Sequence, residues 1–347
     1  MKAIVKFAYG KDGIEVREVP EPVPKEGELK VKVLAAGICG GDIHSMLDER
    51  DTIMPVILGH EYVGQVVETC GNVGEFKVGD YVVTLPACYS CGECSFCKAG
   101  MVTLCSQRKS IGTHVNGAMA EYLVVPAKYS FKVPDDAEDK ISYALSEPFN
   151  CSVRGVYERI NVNPGDVAVV SGPGTIGQFA MQALKSRGAY VIAFGLKDDA
   201  HRLKLALEMG VDAAVDNFED LRNEIAKKNP AGADIVVEAA GHPDSLSTCF
   251  KFVKVKGTVL VLGYYGGHNI SVRFDYLHEK ELDVFASNST AMSTWDIGLK
   301  LLNEKRVKLS PLVSLKLPLS EWKRGFNGVI NKEAYKVLFC PELDRQK

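Results

Sequence analysis

A chain of 347 residues exceeds what one hydrophobic core usually supports, so two domains are expected. Its 46% hydrophobic and 24% charged residues fit a globular protein, and a net charge of -3 gives no electrostatic footing for nucleic acid or an anionic membrane as partner. No apolar run reaches the roughly 18 to 20 residues needed to span a bilayer, and the start Met1-Lys2-Ala3-Ile4-Val5-Lys6-Phe7 lacks the apolar core and cleavage site of a signal peptide, so a cytoplasmic location is expected.

The first third holds short β-like runs at 29–35, 62–69, 81–85 and 121–125, punctuated by Gly and Pro, and predicts a small all-β barrel or sandwich. Within it stand Gly37-Ile38-Cys39-Gly40-Gly41-Asp42-Ile43-His44 and Gly59-His60-Glu61, followed later by Glu147. A thiolate, an imidazole and carboxylates suit a zinc that keeps one position open for substrate. Cys39 or His60 alone reads as a packed core residue; it is their joint occurrence with Asp42, Glu61 and Glu147 that points to metal. Asp42 is expected to accept the second ring N–H of His60 and fix its tautomer.

Five of the ten cysteines crowd between Cys88 and Cys105, which in a reducing compartment reads as metal ligation rather than disulfides. Cys91, Cys94, Cys97 and Cys105 offer four soft ligands in one lobe at about 88–106, enough for a closed structural zinc. Cys88 reads as a bystander.

From Asp166 onward, apolar strands at 167–170, 190–194, 213–215, 234–238 and 258–262 alternate with amphipathic helices and predict a doubly wound parallel sheet, hence an α/β chain. Gly172-Pro173-Gly174-Thr175-Ile176-Gly177 follows the first of these strands. Gly172 and Gly174 permit a tight turn and close approach to a pyrophosphate, Thr175 and Ile176 open the helix whose N-terminus holds it, and Gly177 lets helix pack on strand. The second strand ends in Gly195, where an NAD-binding chain normally carries Asp or Glu for the ribose. With Lys197, His201 and Arg202 nearby, the reading tips toward NADP. The alternative is NAD, with Asp198 or Asp199 on the ribose, Lys197 solvated and Arg202 packed by the adenine. A strand at 282–286, a helix at 294–303, a β-like run at 312–317, a helix at 320–331 and a strand at 336–339 complete the chain. The expected boundaries are 1–151 for the first domain, 152–289 for the nucleotide domain and 290–347 for a return to the first.

These residues resemble the zinc-containing medium-chain alcohol dehydrogenases, and within them the sorbitol (polyol) dehydrogenase branch. The match runs through GICGGDIH, GHEYVGQVVETCGNVGEFKVGDYVV, the four-cysteine lobe, GAMAEYLVVP, SEPFN, GPGTIG and LPLSEW, essentially the whole chain. The resemblance implies a GroES-like β-barrel catalytic domain and a Rossmann cofactor domain with the active-site cleft between them. It implies that Cys39, His60 and either Glu61 or Glu147 hold the catalytic zinc, Glu147 in Ser146-Glu147-Pro148 favouring the polyol branch. It further implies hydride transfer between a polyol or secondary alcohol, or a ketose or ketone in reverse, and NAD(P), in a homodimer or homotetramer.

One position departs from the pattern. Many relatives carry Ser or Thr two residues after the zinc cysteine, a hydroxyl that passes on the substrate proton, where this chain has Gly41. A zinc-bound water, with Glu147 or Glu61 as base and His44 farther out, is expected in its place. Competing readings are a zinc-free quinone or enoyl reductase of the same plan, a non-enzymatic nucleotide-binding protein, and a nucleic-acid-binding zinc ribbon. The last would want a basic face, where the lobe has Lys98, Arg108 and Lys109 against Glu93.

Overall fold

The computed structural model describes residues 1–345. The chain forms two compact units, Met1–Glu147 with Thr290–Asn303 and Leu309–Lys347, and Pro148–Ser289 with Glu304–Lys308. In chain order the strands are β1 (Lys2–Lys6), β2 (Ile14–Glu18), β3 (Glu28–Gly37), β4 (Val56–Ile57), β5 (Glu61–Cys70), β6 (Tyr81–Thr84), β7 (Tyr122–Pro126) and β8 (Ser130–Lys132). They continue with β9 (Val167–Ser171), β10 (Tyr190–Phe194), β11 (Ala213–Val215), β12 (Ala233–Glu238), β13 (Val253–Val261), β14 (Asp283–Ala286), β15 (Val313–Leu317) and β16 (Lys336–Phe339). Among the described residues no helix is long and apolar enough to cross a membrane.

The first unit is organised on β3. Its sequence alternates, so Leu29, Val31 and Val33 are buried while Lys30 and Lys32 point the other way, as a strand's two-residue period requires. β3 pairs antiparallel with β5 over its whole length, and the sheet runs β15-β16-β3-β5-β6-β8 with β7 also on β3. A smaller sheet, β2-β1-β4, completes the unit. The helix Met292–Asn303 buries Trp295, which stacks on Phe131 with ring centroids 5.1 Å apart.

In the second unit six parallel strands take the order β11-β10-β9-β12-β13-β14, the doubly wound arrangement in which the crossover direction reverses between β9 and β12. Every residue of β9 is buried, as a strand covered on both faces demands. One apolar cluster, including Ala168, Val170, Ala180 and Leu184, and another, including Val167, Val169, Leu221 and Phe250, use alternate residues of that strand.

The strands expected at 190–194, 213–215 and 336–339 coincide with β10, β11 and β16, and most others differ by one or two residues. β13 instead starts at Val253, five residues early, because Val253 pairs with Ala233 across a register shift that the charged run Lys254-Val255-Lys256 conceals. β1, β2, β4 and β8 lie outside the runs singled out in the sequence. In β1 the disguise is Lys6, a buried lysine held by Asp48 at 2.7 Å.

Candidate active site

Cys39 follows β3 and N-caps the helix Gly40–Met46, its N–H donating to Asp42 Oδ2 at 2.9 Å. His60 and Glu61 enter from the turn that opens β5. Cross-strand pairing sets Glu61 against Gly37, where a Cβ would come within 2.4 Å of Glu61 Oε2, so the carboxylate occupies the place of a side chain. As a result the Cys39 sulfur, an imidazole nitrogen of His60 and a carboxylate oxygen of Glu61 all lie within 4.8 Å of one another. Bonds of about 2.0–2.3 Å to a common zinc need donors only slightly closer than this, and the soft and hard donor mixture suits that ion.

Lys336, the first residue of β16, closes the cluster from the far end of the chain. Its ammonium donates to both Glu61 oxygens, at 2.5 and 2.6 Å, and to the Ile38 carbonyl at 3.0 Å. Burial alone would lower its pKa, but the charges of Glu61, Cys39 and Glu147 outweigh that and hold it above the ordinary lysine value. Burial likewise pushes His60 down, and Cys39 and Asp42, then Glu147, overcome it and hold the imidazole up to about 10. The metal-free site is therefore charged, and a metal entering it displaces a proton from His60.

Asp42 plays a different part from the one expected. Its Oδ1 stands 3.8 Å from His60 Nδ1, too far for a hydrogen bond. The carboxylate is taken up by backbone donors instead, Cys39 N–H on Oδ2 and Gly59 N–H at 3.3 Å on Oδ1, and so ties the two ligand-bearing turns together. Burial raises its carboxyl while the His60 charge draws it back. His44 pairs its Nδ1 with Glu49 at 2.7 Å and is not one of the converging donors. Glu147, buried in the first turn of the helix Ser146–Val153, is not among them either, although its charge is felt at both His60 and Lys336.

The sulfurs of Cys91, Cys94, Cys97 and Cys105 also gather within 4.8 Å. Cys91 lies 3.8 Å from Cys97 and 3.6 Å from Cys105, close to the edge of about 3.8 Å that a tetrahedron with Zn–S bonds of about 2.3 Å would have. All four are free thiols. The N–H groups of Cys94 and Glu93 pull the Cys91 thiol down to about 6, toward the thiolate that a metal requires. Cys88 is buried outside this set, and burial pushes its thiol up to about 12.

In the second unit Gly172 has φ 100°, and a Cβ there would lie 2.5 Å from Ala240 N, so this turn needs glycine on two counts. Gly174 caps the helix Thr175–Ser186, with open space where its side chain would be, and Gly177 packs with its Cβ position 1.9 Å from Gly172 O. Ile176 O accepts from Ser152 Oγ at 3.0 Å, anchoring the helix start that Thr175 opens. A Cβ on Gly195 would lie 3.0 Å from both Asp199 Cβ and Pro173 Cγ. Asp199 takes Leu196 N–H at 3.1 Å on one oxygen and Arg202 Nη1 at 3.2 Å on the other. Lys197 begins the short turn Lys197–Asp199.

Two participants escaped the sequence reading. Lys336 is one. The other is Glu238, fully buried at the end of β12, whose Oε1 accepts from Ala240 N and Gly241 N at 2.9 Å and Ser245 Oγ at 2.6 Å. It holds the very backbone against which Gly172 packs. Each is a charged residue bounding an apolar run, Ile235-Val236-Val237-Glu238 and Lys336-Val337-Leu338-Phe339, and that placement was the available clue.

The family model described as Alcohol dehydrogenase GroES-like domain matches residues 25–135, and that described as Zinc-binding dehydrogenase matches 175–304. The chain is 36% identical to a sorbitol dehydrogenase of Halalkalibacterium halodurans, covering 98% of this chain and 99% of that one. It is 34% identical to a D-arabitol-phosphate dehydrogenase of Enterococcus avium, covering 97% of each. Among solved structures, a zinc-binding dehydrogenase from Sinorhizobium meliloti 1021 bound to NADP superposes with a TM-score of 0.89 at 31% identity, covering 98% of this chain and 99% of that one. A GroES-like unit with a mixed donor set and a doubly wound unit with a glycine-rich turn define a zinc-dependent nicotinamide dehydrogenase. More narrowly, the chain belongs to the zinc-type medium-chain alcohol and polyol dehydrogenases, enzymes that exchange a hydride between an alcohol carbon and NAD(P).

Proposed function

We propose that Cys39, His60 and Glu61 hold the catalytic zinc and that Glu147 takes the hydroxyl proton of a secondary alcohol or polyol. The observation that carries this is the convergence of one sulfur, one nitrogen and one oxygen donor within 4.8 Å, with a single buried lysine to balance the acids. When bound, zinc supplies Lewis acidity and the dinucleotide supplies the hydride acceptor. The residues do the rest. Asp42 fixes the backbones that carry Cys39 and His60, and Lys336 neutralises Glu61 so that the donor set is not overloaded with negative charge. Glu147, whose charge is felt at both His60 and Lys336, is the acid of this cluster that stands outside the converging donors, and His44, paired with Glu49, is proposed farther out on the proton's path. The relatives named for sorbitol and D-arabitol phosphate support a sugar alcohol as the substrate class.

For the cofactor we favour NADP. Gly195 presents no carboxylate to repel a 2′-phosphate, Asp199 is already balanced by Arg202, and Lys197 stands in the same turn. A panel of secondary alcohols, polyols and their phosphates assayed with NAD and NADP in parallel is the test. Zinc-replete protein is expected to turn over polyol-type substrates with a kcat/KM about 10-fold or more higher for NADP, the size of one charge-assisted contact. No turnover anywhere on the panel would sink the enzymatic assignment of these residues, and an equal or better kcat/KM with NAD would sink the cofactor preference.

The four-cysteine lobe is assigned a structural zinc. Cys97→Ser is expected to release one zinc per chain and to lower the melting temperature by at least about 5 °C, whereas Cys88→Ser leaves the metal content unchanged. Full zinc content in the Cys97→Ser protein, by elemental analysis, would refute the assignment.

A further inference from the structure

The departure at Gly41 leaves a space, and the structure fills it. A Cβ at Gly41 would stand 2.7 Å from Arg50 Nη1 and 3.8 Å from both Cys39 Sγ and His60 Cε1. One guanidinium nitrogen of Arg50, an exposed residue, therefore stands where a side chain at position 41 would enter, at the solvent side of the donor set. Its backbone is fixed there: Thr52 Oγ1 donates to Arg50 O at 3.2 Å and to Ser45 Oγ at 2.9 Å, and Ile53 N–H donates to Thr113 O at 3.0 Å.

Among the described residues no carboxylate pairs with Arg50, since Glu49 is occupied by His44 and Asp48 by Lys6, both at 2.7 Å. The neighbouring loop adds further positive charge. It carries Arg108 and Lys109, and His114, whose Nδ1 accepts from Ser110 N–H at 3.2 Å, has its ring pKa lowered by burial and then by Arg50, Arg108 and Lys109. A neutral polyol makes no use of an unpaired guanidinium next to the reacting hydroxyl. An anionic substituent does, because a guanidinium gives two parallel N–H donors matched to phosphate or carboxylate oxygens.

We propose that Arg50 is a specificity-determining residue that binds an anionic group, a phosphate monoester or a carboxylate, on a substrate whose oxidised carbinol lies a few bonds away. The inference rests on the assignment of Cys39, His60 and Glu61 as the reacting centre. It adds the substrate class, an anionic derivative of a sugar alcohol rather than the free polyol.

The test compares a hexitol, its terminal phosphate ester and the matching aldonate with wild-type protein, Arg50→Gln and Arg50→Lys. Wild type is expected to favour one of the two anions over the hexitol in kcat/KM. In Arg50→Gln that preference is expected to shrink about 10- to 100-fold, through KM rather than kcat, with partial rescue by lysine. Which anion is favoured identifies the source of the charge. Calorimetric titration of the same anions into metal-free protein gives a readout independent of turnover: binding by wild type that is lost in Arg50→Gln supports the proposal even if the panel shows no catalysis. Equal loss for neutral and anionic substrates, a raised KM for the dinucleotide alone, or anion binding indifferent to Arg50 would each overturn it.

Discussion

Lys336→Met is expected to destabilise the metal-free protein by about 3–5 kcal/mol, the usual consequence of stranding one member of a buried ion pair. Glu61 is 0% exposed and both of its oxygens accept from this one ammonium, so its removal takes away a buried partner that the neighbouring His60 charge offsets only in part. A fall in melting temperature on the order of 10 °C follows. Two controls give the result its meaning. The double variant Glu61→Leu with Lys336→Met is expected to recover most of the loss, because an apolar pair leaves nothing unpaired. Added zinc is expected to narrow the gap in the single variant, since a cation at Cys39 and His60 replaces the missing ammonium beside Glu61. A single variant within about 1 kcal/mol of wild type in chelator would show that Glu61 finds another way to be neutral.

The second large effect is on catalysis. Cys39→Ser is expected to drop turnover to the assay background and to lose the catalytic zinc, while melting within a few degrees of wild type. Serine keeps an N-cap acceptor for the helix Gly40–Met46, so the structural cost is about 1 kcal/mol or less. A neutral hydroxyl is nonetheless a poor substitute for a thiolate on zinc. Elemental analysis and thermal melts on the same preparation separate the two consequences. Wild-type activity in the variant would remove Cys39 from the donor set, and loss of fold together with metal would make it structural.

The parts of the architecture that could be read from residues alone were those with a local signature. β9 to β12 are apolar runs between turns, the cysteine lobe is written within fifteen residues of sequence, and the glycine turn sits between a strand and a helix. What could not be read depends on where the backbone travels. Asp42 has the right chemistry to orient His60, but the N–H groups of Cys39 and Gly59 claim its oxygens at 2.9 and 3.3 Å and leave the imidazole 3.8 Å away. Arg50 looks like a loop arginine until the path from Met46 to Ile53 folds it back over Gly41. β1 was hidden because Lys6 points inward to Asp48, inverting the usual meaning of a charge in a short run. Gly37, inconspicuous in sequence, turns out to hold room for the Glu61 carboxylate.

Glu61 and Lys336 are 275 positions apart, and the second lies on a strand that lines up beside β3. The two metal-facing turns and their counter-ion are thus separated in the chain by the whole of the second unit's sheet. Glu61 can therefore be buried with its counter-ion only when β16 is docked beside β3, which ties formation of the charged cluster to long-range closure of the sheet.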